Sequence, residues 1–204
     1  MGRDIYRHLI SWIWLAWALY WLIAASGNKP TQRRERLASR LIYMLSLLVG
    51  GLLLAWHHSP WGSVLDMRLW PRSALACLIG VAVLIAGLAF SVWARVHLGR
   101  NWSGNVTVKE GHELIRTGPY GYTRHPIYTG ILTGVLGTAL CSGTLRAACG
   151  LAIIAAALLV KLRTEERFMR ETFPGEYEKY ASQVPALIPF TRPRRAAAAR
   201  HPLL

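Results

Sequence analysis

The chain has little charge, few acidic residues and few cysteines. Of its 204 residues 17% are charged and 53% are hydrophobic, whereas soluble domains carry about 25% charge. This apolar content excludes a disordered chain, and three cysteines in so long a sequence exclude a disulfide-rich scaffold. Ten acidic residues stand against 24 Lys and Arg. The composition therefore predicts a basic membrane protein.

Four long segments contain no charged residue, and a fifth follows a single arginine. Crossing a hydrocarbon core of about 30 Å takes roughly 20 helical residues, with about 17 as the lower limit. We therefore predict an all-α integral membrane protein of about five transmembrane helices, the last two joined by a tight hairpin at 141–144. The predicted spans are 9–25, 41–56, 73–93, 127–142 and 144–161.

The basic residues alternate between the segments that connect the spans. With five spans, 19 of the 24 Lys and Arg fall on one side and 5 on the other. Since cytoplasmic loops carry the excess of basic residues, we expect the N-terminus outside and the C-terminus in the cytoplasm. Anionic lipid headgroups are the expected partners of the basic side. This alternation argues against nucleic acid as the partner.

The first apolar segment allows a second interpretation. Arg3 and Arg7, followed by an apolar stretch and the small residues 24–27, also fit a cleaved signal peptide. The stretch is long, however, and it contains tryptophans, which suit a retained helix at a membrane interface. The four tryptophans are Trp12, Trp14, Trp17 and Trp21.

Small residues within the spans predict helix packing. Gly130 and Gly134 form a GxxxG motif in the fourth span, and such motifs let helix backbones approach closely in lipid. Cys77, Cys141 and Cys149 have no CxxC spacing and no histidine at ligand spacing. We therefore expect them to be packing residues, and we predict no metal site.

Polar residues are concentrated in 100–126 and 161–182, which the predicted topology places on the cytoplasmic face. Pro126 suits the first turn of the fourth helix, where its missing N–H costs nothing. Polar side chains beside it would surround a helix N-terminus, which favours anionic groups. In the second segment the charges also fit a solvated helix with ion pairs four residues apart.

Four motifs occur in a fixed order along this half of the chain. They are Gly-Pro-Tyr-x-Tyr-x-Arg-His-Pro-x-Tyr-x-Gly at 118–130, Glu165-Glu166, Phe-x-Gly-x-Tyr-x-x-Tyr at 173–180 and Val-Pro-x-x-Ile-Pro at 184–189. The ordered set resembles the isoprenylcysteine carboxyl methyltransferase family over about 100–190. The resemblance implies an integral-membrane enzyme that binds S-adenosylmethionine between the two polar segments, under a C-terminal cover. Its lipidic or prenylated substrate would enter from the bilayer.

The resemblance also implies roles for individual residues. Arg124 and Arg163 match arginines near the transferred methyl group and the substrate carboxylate, and they are the expected catalytic residues. The implied cofactor-binding residues are His112, Leu114, Tyr120, Gly121, His125, Pro126, Tyr128, Glu165 and Glu166. The implied organisation is three N-terminal helices over 1–98, a catalytic half over 99–190 with two helices, and a basic disordered tail over 191–204.

The expected reaction is methyl transfer from S-adenosylmethionine to a carboxylate of a lipidic or prenyl-cysteine-like substrate. A carboxylate with a pKa near 4 is already ionised at neutral pH, so the protein mainly has to align donor and acceptor. Three alternatives stay open: a phospholipid-headgroup N-methyltransferase, an enzyme resembling the NADPH-dependent sterol reductases, and a membrane protein without catalytic activity.

Overall fold

The computed structural model describes residues 2–24, 31–34, 37–55, 64–71, 73–99, 107–109 and 114–191. Within these ranges the chain forms six α-helices, two short strands and two 3-10 turns. The helices are α1 (Gly2–Ala24), α2 (Leu37–Ala55), α3 (Ala74–Leu98), α4 (Pro126–Ser142), α5 (Leu145–Thr172) and α6 (Glu176–Gln183). The strands are β1 (Thr31–Arg34) and β2 (Thr107–Lys109), and the 3-10 turns are Val64–Asp66 and Gly118–Gly121.

Two of these helices, α3 and α5, are long and apolar enough to cross a membrane, judged by length and composition. Shorter apolar helices cover Arg40–Ala55 and Pro126–Ser142. The helical fold class is confirmed, while the count of five spans stays a prediction. The fifth predicted span ends at 161, and α5 carries the chain on from there as a helix through the charged segment to Thr172.

One local feature departs from the all-α prediction. Strands β1 and β2 pair antiparallel, with Thr31 opposite Lys109 and Arg34 opposite Thr107. The sequence analysis treated both segments as connections between spans, since neither has the length or apolar periodicity that marks a strand. Their pairing joins two connections that the charge pattern places on the same side of the membrane.

Helices α3 and α4 approach each other through glycines. A Cβ atom on Gly87 would lie 2.6 Å from the carbonyl oxygen of Gly130, and one on Gly80 would lie 2.6 Å from that of Gly137. No side chain fits at these distances, so the two backbones are in direct contact. The packing role expected for the glycines of the fourth span is thus confirmed, and α3 is the partner helix.

Two of the four tryptophans of α1 donate hydrogen bonds to other helices. The indole N–H of Trp17 donates to Ser91 of α3 at 2.8 Å, and that of Trp14 donates to Thr138 of α4 at 3.0 Å. At the carboxyl end of α1, the guanidinium of Arg95 donates to the carbonyl of Ala24 at 2.5 Å. These indoles therefore serve helix packing, a role that the sequence analysis did not predict.

The α4–α5 hairpin lies at one end of the bundle, together with the segment before α3. Gly143 ends α4 with a φ of 65°, and the Thr144 side chain accepts from the Ala147 N–H at the start of α5. The carbonyl of Gly143 accepts from the Leu69 N–H at 2.9 Å. Arg146 forms an ion pair with Asp66 at 3.2 Å. The predicted tight hairpin is confirmed; we call residues 64–71 and 143–146 the hairpin end.

Candidate active site

At the opposite end of the bundle, the start of α4 meets the charged part of α5. We call four side chains there the carboxylate cluster: His125, Tyr128, Glu165 and Glu166. His125 Nδ1 lies 3.5 Å from Oε2 of Glu165, and His125 Nε2 lies 3.5 Å from Oε1 of Glu166. The Tyr128 ring stacks on His125 with centroids 5.6 Å apart, and its hydroxyl donates to Glu165 at 2.5 Å. The expected first-turn position of Pro126 in α4 is confirmed.

The cluster favours a protonated imidazole. Burial by itself lowers the pKa of His125, but the contacts with the carboxylates of Glu165 and Glu166 outweigh burial and raise that pKa above its usual value. His125 Nε2 is buried and has no hydrogen bond of good geometry within the described residues. Its 3.5 Å separation from Glu166 is too long for a strong hydrogen bond.

Arg124 stabilises the carboxylate cluster through an ion pair and hydrogen bonds. Its guanidinium binds the carboxylate of Glu166, with Nε at 2.9 Å from Oε1. Its Nη1 donates to the carbonyls of Ala181 at 3.1 Å and Val184 at 2.5 Å. Both ends of this ion pair are buried. The planar fork thus joins α5 to the end of α6 and to the residue that follows it, and its donors are directed to acceptors within the chain.

The segment 184–187 covers the start of α4. Its carbonyls at Pro185 and Ala186 accept from the backbone N–H groups of Arg124 and His125, at 2.9 Å and 3.0 Å. The Thr123 hydroxyl also donates to Ala186, at 2.6 Å. The sequence predicted that free amides at this helix end would attract an anion. Two backbone amides beside the helix start are instead bound by the chain itself.

Tyr120 is held by α3 and α6. Its carbonyl accepts from the Tyr180 hydroxyl at 2.6 Å, and its ring stacks on His97 with centroids 6.4 Å apart. Burial raises the pKa of both phenols, so both stay neutral at physiological pH. Gly118 has a φ of 59°, and a Cβ there would lie 2.7 Å from His97 Cε1. Both the backbone conformation and the space require glycine at this turn.

A lysine that the sequence analysis did not select lies beside the cluster. Lys161 Nζ is 5.1 Å from the ring centroid of Tyr43 on α2 and 5.6 Å from that of Tyr128. Both distances suit a cation–π contact. Tyr43 is 118 positions upstream in the sequence, and no local motif marks it. The lysine could have been noticed because it lies four residues before Glu165, on the same helix face.

The structure brings together most of the residues selected from the sequence. His125, Tyr128, Glu165 and Glu166 form the cluster, Pro126 and Tyr120 are buried beside it, and Gly121 follows Tyr120 in the 3-10 turn. Leu114 is half-buried in the approach to that turn, and His112 lies outside the described residues. Arg163 is exposed on α5 and forms no ion pair within the described part of the chain. The basic tail, 192–204, also lies outside the described residues.

Comparison with known proteins shows that this part of the chain is similar to one family. The family model described as isoprenylcysteine carboxyl methyltransferase matches residues 78–171, a range that contains the whole carboxylate cluster. A cobalt-zinc-cadmium resistance protein of Cupriavidus metallidurans is 34% identical over 45% of this chain and 43% of its own length. The protein-S-isoprenylcysteine O-methyltransferase of Saccharomyces cerevisiae is 29% identical over 61% of this chain and 55% of its own length.

A solved structure is also similar. It is described as the eukaryotic intramembrane Ras methyltransferase, an isoprenylcysteine carboxyl methyltransferase, and is 25% identical with a TM-score of 0.49. The similarity covers 75% of this chain and 50% of that one. The chain thus spans about half the length of the relatives that it matches.

The apolar helices and the family match together define the class of the protein, which is an α-helical integral membrane protein. Within that class, residues 78–171 match the family model of the isoprenylcysteine carboxyl methyltransferases, so this part of the chain is similar to that family. The resemblance seen in the four ordered motifs is confirmed.

Proposed function

We propose that the protein is a membrane-embedded methyltransferase that moves a methyl group from S-adenosylmethionine to a carboxylate of a lipidic or prenyl-cysteine-like substrate. One observation carries the proposal: the carboxylate cluster lies inside the family-matched segment, with His125 within 3.5 Å of both Glu165 and Glu166. Four side chains from α4 and α5 thereby meet at one buried place beneath the C-terminal cover.

The residues present suit the proposed cofactor. S-adenosylmethionine carries a cationic sulfonium, and when bound it supplies an electrophilic methyl group. The carboxylate of Glu165 and the faces of Tyr120 and Tyr128 are groups that stabilise a cation. The buried Nε2 of His125 has hydrogen-bonding capacity left over. We assign cofactor binding to the carboxylate cluster, Tyr120, Gly121 and Pro126, together with His112 and Leu114 from the preceding loop.

Arg124 and Arg163 have different roles in the proposed reaction. The donors of Arg124 are directed to Glu166 and to backbone carbonyls, so Arg124 positions the cluster and the cover. Arg163 is exposed two residues before Glu165, and its guanidinium is available to bind the acceptor carboxylate with two parallel hydrogen bonds. Lys161 can add positive charge on the side of the cluster that faces α2. Because the acceptor is already ionised, none of these groups has to remove a proton.

The site also requires an orientation. We propose five spans, with the cluster at the cytoplasmic end and the hairpin end outside, because 19 of the 24 basic residues then lie in the cytoplasm. Anionic headgroups would bind that basic side, and the substrate would reach the cluster from the bilayer.

Ligand binding tests the cofactor assignment. S-adenosylhomocysteine should raise the Tm of the purified protein, as a ligand specific for the folded state must. Glu165→Gln should reduce this shift, whereas Glu171→Gln, at an exposed carboxylate on the same helix, should leave it intact. A shift produced by NADPH instead would favour the reductase alternative, and no shift with any nucleotide would favour a protein without this activity.

Product chemistry tests the acceptor. Protein incubated with methyl-labelled S-adenosylmethionine and prenyl-cysteine analogues or fractionated lipids should yield a product whose methyl is released by mild alkali, as an ester must be. An alkali-stable product on a lipid amine would overturn the carboxyl assignment and favour the headgroup N-methyltransferase.

A further inference from the structure

Two of the three cysteines meet next to the hairpin end, far from the carboxylate cluster. Cys77 and Cys141 are 64 positions apart in sequence, yet their Sγ atoms are 2.6 Å apart. Cys77 lies in the first turn of α3 and Cys141 in the last turn of α4. Both side chains are buried. The sequence predicted that the cysteines are packing residues, and the fold makes these two neighbours.

The backbone around the pair is fixed on both helices. One turn further along α3, a Cβ on Gly80 would lie 3.0 Å from the backbone nitrogen of Cys141. Beyond the helix ends, Trp70 Nε1 donates to the carbonyl of Leu140 at 3.1 Å. The close contact of the two sulfur atoms is therefore imposed by the glycine packing of α3 against α4.

The proposed orientation decides on which side of the membrane the cysteine pair lies. The pair lies at the end of the bundle that also holds the Asp66–Arg146 ion pair and the α4–α5 hairpin. Five spans with a cytoplasmic cluster place this end outside the cytoplasm. Disulfides form and persist in that compartment, whereas cytoplasmic thiols are kept reduced.

We propose that Cys77 and Cys141 form a disulfide that joins α3 to α4 next to the hairpin end. The oxidant is a disulfide of an extracytoplasmic protein oxidant. One cysteine thiolate attacks that disulfide to give a mixed disulfide, and the second cysteine then displaces the oxidant. The two thiols lose two protons and two electrons, and the oxidant's disulfide is reduced to two thiols. The bond restrains the glycine contact without touching the site.

Counting thiols tests the proposal in the full chain. Cells expressing the protein are quenched in acid to stop thiol exchange, dissolved in SDS, and labelled with a polyethylene-glycol maleimide before or after reduction. Since the chain has three cysteines, we expect one labelled thiol before reduction and three after it. Cys149→Ser should give none before and two after, and Cys77→Ser should give two in both samples.

Two results would overturn the proposal. One is three labelled thiols in the wild type before reduction, which would mean that the pair stays reduced. The other is a covalent dimer without reductant that Cys149→Ser retains, which would mean that bonds form between chains. A third measurement supports the assignment independently of labelling: a phosphine reductant should lower the Tm of Cys149→Ser and leave that of Cys77→Ser unchanged.

Discussion

The guanidinium of Arg124 and the carboxylate of Glu166 form a buried ion pair between the start of α4 and the charged end of α5. The same guanidinium also binds the backbone carbonyls of Ala181 and Val184. One side chain thus fixes a carboxylate of the cluster and the segment that covers it. Arg124 thus has a different role from Arg163, although the family resemblance implies a catalytic role for both.

Replacing each arginine by lysine should give opposite results. Arg124→Lys keeps the charge but loses the planar fork, so it should destabilise the fold by about 1.5–3 kcal/mol and lower the Tm. Arg163→Lys should leave the Tm unchanged and raise the KM for the acceptor. An Arg124→Lys protein with wild-type Tm and a raised KM alone would show that Arg124 contacts substrate instead.

The contact between α3 and α4 should not tolerate replacement of a glycine by alanine. Gly130→Ala places a Cβ against the backbone of Gly87, and overpacking of this kind costs about 1–3 kcal/mol. Gly51→Ala is the matched control, because a Cβ there meets nothing within 4 Å. Thermal unfolding in detergent should show a loss for the first variant and none for the second; equal Tm values would contradict direct backbone contact.

The position of α6, and of the cover that follows it, should depend on one hydroxyl. Tyr180→Phe removes the donor to the Tyr120 carbonyl and leaves a buried acceptor unsatisfied, at a cost of about 1–3 kcal/mol. Tyr122→Phe, at a side chain that is 47% exposed, should be neutral. Limited proteolysis should cleave near 180–190 faster in the first variant. Equal cleavage rates would mean that the hydroxyl does not hold the cover.

Stability should fall as pH rises through the titration of His125. The carboxylates of the cluster raise the pKa of His125 despite its burial, so the folded state binds the proton more tightly than the unfolded state. The resulting stability is fully present below the unfolded value of about 6.5 and is lost as pH rises through the higher folded value. Tm measured from pH 6 upward should decrease, and His125→Gln should flatten that decrease. An unchanged slope in the variant would assign the effect to another group.

Labelling should report the orientation. In a variant without the three native cysteines, Met67→Cys at the hairpin end should react with an impermeant thiol reagent in sealed cells. Lys179→Cys on α6 should react only after the membrane is opened. Both side chains are exposed, so burial cannot explain protection. Labelling of residue 179 in sealed cells would contradict the cytoplasmic site.

The sequence alone determined the features that depend on local composition. Charge-free segments marked the apolar helices, Pro126 marked the start of α4, and the small residues around 143 marked the hairpin. These features could be predicted because each depends on a few neighbouring residues. The length of an uncharged segment indicates an apolar helix, the missing N–H of proline favours a helix start, and small residues permit a tight turn. The order of four motifs also predicted all four residues of the cluster, and it indicated the same family whose model matches residues 78–171.

Only the tertiary structure decided which distant residues meet. Tyr43 comes to Lys161 because α2 packs against α5 through Gly50 and Gly150. Cys77 comes to Cys141 because α3 packs against α4 through glycine. Helix pairing depends on the shape of whole faces, and a residue's own neighbourhood in sequence does not encode its partner. For the same reason the motif could select Arg124, but only the fold assigned its donors to Glu166 and the cover.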